Sequence, residues 1–358
     1  MSNKEMGAQT GEARQAGARN INPVVWSALA LAVILLFNLI FTRGFFSITI
    51  KEGHLFGSLI DILKRASPTL LIALGMTLVI ATKGIDISVG SVAAIAGSVA
   101  ALVVRGGDIT YLQQTIHATV PLFPVFAFAL LAAAICGLFN GFLVSFVGIQ
   151  PIVATLILMI TGRGVAVLLT GGYVLNFDHA RFQFVGVGYF LGFPFPFILA
   201  VGVFVIVFFL TKITPLGLLI QATGGNPTAS RYSGVNTRVV RMLVYLISGL
   251  CAGIAGIIIT ADVRSADANY MGLWLELDAI LAVVIGGTAM SGGRYRLFGT
   301  IFGALIIQSL ITTILTRGVQ VQFTLIVKSL VVIFVILIQS ERTREFFTKS
   351  RRKITSTG

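Results

Sequence analysis

The sequence predicts an all-α, polytopic membrane protein of about ten transmembrane helices, some of them broken at glycine-rich motifs. Three observations predict it. Of 358 residues, 56% are hydrophobic and only 11% charged, whereas about a quarter are charged in soluble domains. The apolar residues fall in runs near the length of about 20 that a helix needs to cross a hydrocarbon core about 30 Å thick. The runs lack the short alternating strands of an outer-membrane barrel, so the backbone must satisfy its polar groups within helices.

Residues 1–22 are polar and of mixed charge (Lys4, Glu5, Glu12, Arg14, Arg19) and are expected to form a disordered cytoplasmic tail. A membrane domain follows over 23–340, and a basic cytoplasmic tail over 341–358. The first run, 23–42, lacks a small-x-small cleavage site and reads as a retained span rather than a signal peptide. The other predicted spans are 66–82, 87–104, 120–147, 151–171, 195–211, 241–261, 278–292, 297–316 and 322–340. Two interruptions stand out, T-K-G-I-D-I-S-V-G at 82–90 and I-G-G-T-A-M-S-G-G at 285–293, which suggest a faint internal duplication. Such breaks in corresponding halves point to a substrate path in transporters. They also suit plain helix packing, because small residues let backbones approach.

With both termini in the cytoplasm, 16 Lys and Arg fall inside and 8 outside, as orientation by positive charge requires. The acidic segment 262–278 (Asp262, Asp267, Glu276, Asp278) then lies outside. Residues 43–65 run against the rule, since Arg43, Lys51, Lys64 and Arg65 would also lie outside. The net charge of +13 sits in tails and short loops without a basic, aromatic-interleaved face, which argues for membrane orientation and against nucleic acid. Cys136 and Cys251 lie within apolar runs, so no disulfide framework is implied.

Between the sixth and seventh spans lies a polar stretch, 215–241, whose charges Arg231, Arg238 and Arg241 are all positive. Asn226 suits an N-cap, Pro227 the first helical position and Gly234 the residue past the end, which predicts a helix of about two turns. Asn236 or Thr237 can cap a following helix with its apolar body over 242–261. The segment is either a handle for a partner outside the bilayer or an ordinary basic loop.

No phosphate loop, H-E-x-x-H or G-x-S-x-G motif occurs, so neither catalysis nor a metal site is expected. Ionisable and amide groups at membrane depth are the candidates for a substrate path. Asp86, beside Gly84 and Ser88, can either bond a sugar hydroxyl or stabilise the broken helix ends. Asn140 can line a path or bond a neighbouring helix, and Gln308 belongs to a polar stripe with Thr312 and Thr313 that is open to the same two roles. Arg163 is expected to snorkel to an interface. Asp278 and Lys328 are expected to form a structural ion pair.

G-I-D-I-S-V-G at 84–90, G-x-N-x-x-A-x-x-x-G-V at 224–235 and E-L-D-A-I-L-A-V-V-I-G-G-T at 276–288 resemble the signatures of permease subunits of bacterial ABC sugar importers of the ribose-type branch. Segment 266–280 is similar to the galactofuranose-type members. The family more often has a glycine where this chain has Lys83. The resemblance implies a permease domain over 23–340 in the bacterial inner membrane, in contact with lipid, and partners in an ABC ATPase subunit and a periplasmic sugar-binding protein. It also implies a second permease subunit, either a homodimer or a heterodimer with a sister permease. No cofactor is expected in this chain, since ATP is used by the partner ATPase. The segment 215–241 becomes the ATPase-coupling segment, with Asn226, Arg231 and Gly234 as its residues. Two alternatives stay open: a secondary transporter driven by an ion gradient, and an ABC permease for an amino acid or nucleoside.

Overall fold

The computed structural model describes residues 23–318 apart from 52, 107, 112–113 and 118–119, together with 320, 323, 325–330 and 333. Seven of its helices are long and apolar enough to cross a membrane. Helix α1 spans Pro23–Phe41, α2 Ser58–Ala81 and α3 Val89–Arg105. Next come α4, Leu122–Phe142, closed by a π-turn at Leu143–Val147, and α5, Pro151–Thr170. They are followed by α6, Ala180–Val187, and α7, Phe195–Ile213. Two short helices, α8 at Leu216–Gly225 and α9 at Pro227–Tyr232, lead into α10, Thr237–Val263. Last are α11, Leu275–Ile285, and α12, Leu297–Thr316.

Three of the ten predicted spans fare differently. The third is α3, which at 17 residues is short for a crossing. The eighth, expected over 278–292, is only the 11-residue α11. Hydropathy carries the run onward, but the chain turns at Gly286 and Gly287, the latter at φ 83°. Most of the tenth span, like both predicted tails, lies outside the described residues. The all-α expectation also needs amending, because among the described residues four two-stranded antiparallel ribbons join the ends of the helices. One is non-local, pairing Leu175 with Ala266.

Helix α10 is the axis of the fold and packs on α4, α2 and α3. Glycine makes this possible. A Cβ on Gly249 would lie 2.7 Å from the Ala133 carbonyl oxygen of α4, and one on Gly256 would lie 2.1 Å from that of Ala93 in α3. The backbones therefore meet directly, the contact on which membrane helices rely when no hydrophobic force drives them together. Residues 70–81 of α2 are all buried, as expected of a helix apolar all round. By contrast α1, α4, α5 and α7 expose Val33, Leu131, Ile160 and Ile206 by more than half, a surface suited to hydrocarbon.

The bundle has two chemically distinct ends. At the near end Lys83 Nζ donates to the Gly225 carbonyl at 3.1 Å, and the Gly293 N–H donates to that of Ala81 at 2.9 Å. The two glycine-rich interruptions and the 215–241 segment thus meet there. At the far end Leu55 N–H donates to Gly192 O at 3.2 Å, His54 stacks on Tyr189 at 4.8 Å and Lys64 pairs with Asp262 at 2.6 Å. Residues 43–65, the basic stretch that ran against the charge rule, therefore share an end with the acidic 262–278. Lys64 has an acid to answer it.

Candidate functional site

Helix α2 stops at Ala81 and α3 starts at Val89, and the seven residues between them build a buried polar centre. Lys83 adopts φ 63°, a left-handed conformation that costs a side-chain-bearing residue about 1–2 kcal/mol and glycine almost nothing. This is the position at which the resembled family more often carries glycine. Asp86, Ser88, Asn140 and Ser248 are each at most 1% exposed. Ser88 donates both its N–H and its hydroxyl to Asp86 Oδ1, at 3.1 and 2.6 Å, an Asx-type turn that opens α3. Ser248 on α10 donates to Asp86 Oδ2 at 2.9 Å, and Asn140 Nδ2 on α4 donates to Ser88 Oγ at 2.7 Å.

Three of the four predicted path residues are thus one network, joined by Ser248, which the sequence reading missed. In this conformation Asp86 Oδ1 accepts two protein hydrogen bonds and Oδ2 one. The signal for Ser248 was faint: a lone serine in an apolar run looks like helix glue, and its partner lies 162 residues away. Gln308, the fourth, stands apart and bonds Thr312 Oγ1 at 3.3 Å. Arg163, expected to snorkel to an interface, extends to the far-end turn. Its guanidinium reaches the carbonyls of Ala268 and Met271, where two backbone acceptors in the 266–274 turn replace water.

At the near end the capping geometry is explicit. Asn226 Oδ1 accepts from the N–H groups of Thr228 and Ala229 at 3.1 and 3.0 Å, Pro227 takes the first helical position and Gly234 closes the turn at φ 84°. Helix α9 is six residues long, close to the two turns expected. Helix α10 begins at Thr237, with Asn236 Oδ1 accepting from Val239 N–H at 3.3 Å. Arg231 Nε donates to Thr237 Oγ1 at 3.0 Å, which ties α9 to α10. Tyr232 is 89% and Leu218 72% exposed beside it.

At the far end a cavity of about 280 Å³ is lined by Lys64, Thr69, Asp262, Asp278 and Gln308, among others. Lys328 Nζ donates to Asp278 Oδ1 at 2.5 Å, with both side chains about nine-tenths buried. Removing one partner of such a pair strands the other charge, typically at about 3–5 kcal/mol. Asp278→Lys and Lys328→Asp are each expected to lower the melting temperature of the extracted protein, and the double exchange to recover part of the loss. A double variant no more stable than either single one would exclude a pairing role.

The sequence pattern of the family described as branched-chain amino acid transport system / permease component matches residues 58–338. This chain belongs to that family. The permease is 48% identical over 314 residues to the galactofuranose transporter permease protein YtfT of Escherichia coli, covering 88% of this chain and 89% of the relative. It is 38% identical to the fructose import permease protein FruF of Bifidobacterium longum, over 92% and 91% of the two chains. Identity to the ribose import permease protein RbsC of Escherichia coli is 36%, over 88% and 93%. No solved structure matches it. The permease is thus a multi-pass membrane subunit, the part of an ABC importer that is not itself the ATPase.

Proposed function

We propose that this chain is the transmembrane permease subunit of an ATP-driven importer that translocates a monosaccharide, galactofuranose- or ribose-like, delivered by a periplasmic binding protein. The observation that carries the proposal is its near full-length similarity to permeases named for galactofuranose, fructose and ribose. The family description names branched-chain amino acids, but relatives 34–48% identical over most of both chains are named for galactofuranose, fructose and ribose. An inner-membrane subunit with both termini cytoplasmic puts the near end, and the exposed α9, towards an ATPase. The far-end cavity then faces the binding protein, with Gln308 at its wall. Asp86, Ser88 and Asn140 lie deeper, at the break between α2 and α3, where the path opens as those helices move. A second permease subunit, the same chain or a sister, completes the path.

The binding protein and ATP bias this subunit only as far as each binds one conformation better than another. The test is reconstitution of the permease with its ATPase and binding protein in sealed vesicles. Uptake of labelled monosaccharide is expected to require ATP, to survive an ionophore and to resist competition by amino acids and nucleosides. Uptake that continued without the ATPase and collapsed with the ionophore would replace the proposal by an ion-driven transporter.

A further inference from the structure

An ionised Asp86 presents an electrostatic problem that its hydrogen bonds only partly solve. Its carboxylate is 1% exposed, and among the described residues no Lys, Arg or His pairs with it: Lys64 and Lys328 answer Asp262 and Asp278 instead. Burying an uncompensated carboxylate costs several kcal/mol even after relaxation. The start of α3 beside it offsets at most about 2 kcal/mol. The hydrogen bonds from Ser88 and Ser248 help, but they bring no positive charge, and Arg241, whose charge reaches Tyr245, makes no ion pair with Asp86 among the described residues.

The same centre has buried oxygens to spare. Asn140 is held through its Nδ2 on Ser88 Oγ, which leaves its Oδ1 buried beside the network without a partner. The Tyr245 hydroxyl, on the same face of α10 as Ser248, is also buried and unpartnered. It abuts the broken backbone, since a Cβ on Gly84 would lie 2.7 Å from it. Water would satisfy these two oxygens and leave the charge standing, and a proton would cancel the charge only by adding a fourth donor to a carboxyl group at which three already point. A cation does both.

We infer that the Asp86 centre binds an alkali-metal cation, held by Asp86 with Asn140 Oδ1 and the Tyr245 hydroxyl. The donor set decides the class: every group is an oxygen, the choice of hard cations, with no thiolate or imidazole to favour a transition metal. One carboxylate balances one positive charge, whereas divalent calcium sites gather several. Broken membrane helices bind sodium with this chemistry in ion-coupled transporters. Here the ion stays in place, tying the α2–α3 break to α4 and α10, and the proposed import remains driven by ATP.

The test uses the full-length permease in lipid nanodiscs, melted in sodium, potassium or choline chloride at equal ionic strength. The melting temperature is expected to rise saturably with sodium or potassium relative to choline, and Asp86→Asn, of nearly the same shape, to abolish the difference. Tyr245→Phe is expected to raise the half-saturating cation concentration. Equal melting in all three salts would overturn the inference, as would an alkali-ion effect undiminished in Asp86→Asn. Should Asp86→Asn fail to accumulate, an unchanged half-saturation in Tyr245→Phe is equally decisive against it. ATP-driven uptake that persists beside a negative melting result would leave the transport proposal standing.

Discussion

Gly234→Pro is expected to abolish ATP-driven uptake while the permease remains folded and inserted. Gly234 sits at φ 84°, and proline is confined to about −65°, so the turn that closes α9 cannot form. The substitution also deletes the N–H that donates to the Arg231 carbonyl at 3.0 Å, and it disturbs the neighbouring bond from Val235 N–H to Ser230 O at 2.9 Å. Damage stays local, because the position is exposed and a Cβ there meets nothing within 4 Å. That open space provides the control. Gly234→Ala incurs only the left-handed penalty, about 1–2 kcal/mol, and is expected to keep most of the uptake. Arg231→Glu should behave like the proline variant, since it reverses the charge on α9 and breaks the 3.0 Å bond to Thr237. The checks are vesicle uptake and capture of the ATPase by the solubilised variants. Normal uptake by both Gly234→Pro and Arg231→Glu would remove 215–241 from the coupling role.

What could be read from the chain, and what could not, divides by the range of the interaction responsible. Asn226, Pro227 and Gly234 announced α9 because capping is settled within a few residues. Likewise the spans that became α1, α4, α5, α7, α10 and α12 follow from solvation by hydrocarbon, a property of each run by itself. The error at α11 has a different source. Hydropathy continued the span to residue 292, but Gly286 is pressed against α12, where a Cβ on Gly299 would lie 1.9 Å from the Gly286 carbonyl oxygen. A contact with a later helix ended the run. Helix α2 begins at Ser58, eight residues before its apolar stretch, because Lys64 is held by Asp262 and so costs the helix little. At the candidate centre Asp86 and Asn140 stood out as polar residues in apolar surroundings. Ser248 and Tyr245 did not, since their roles come from how α10 crosses α4 and α3.

The same distinction separates docking from transmission, and Gly224 is where the second can be cut. Gly224 lies in the last turn of α8, buried, where a Cβ would come within 1.8 Å of the Ala81 carbonyl oxygen and 2.6 Å of Gly293 N. That carbonyl ends α2 and accepts the Gly293 N–H at 2.9 Å, while Lys83 Nζ holds the Gly225 carbonyl at 3.1 Å. The helix leading to α9, the start of the α2–α3 break and the turn before α12 are therefore locked at one point with no room for a side chain. All three contacts at Gly224 are backbone atoms, which cannot swing away. Gly224→Val must push α8 off this seat, and overpacking of this kind costs about 1–3 kcal/mol, enough to shift a two-state equilibrium about fivefold to a hundredfold. The surface of α9 is untouched. The expected result is a permease that still captures the ATPase and supports ATP hydrolysis but imports little sugar, the reverse of Gly234→Pro, which should lose capture as well. Gly225→Ala is the matched control, because a Cβ one residue on meets nothing within 4 Å. Sugar imported per ATP hydrolysed is the deciding measurement. A Gly224→Val permease with an unaltered ratio would mean that force from α9 reaches the Asp86 break by another route, with the covalent run from Arg231 and Thr237 into α10 and Ser248 the remaining path.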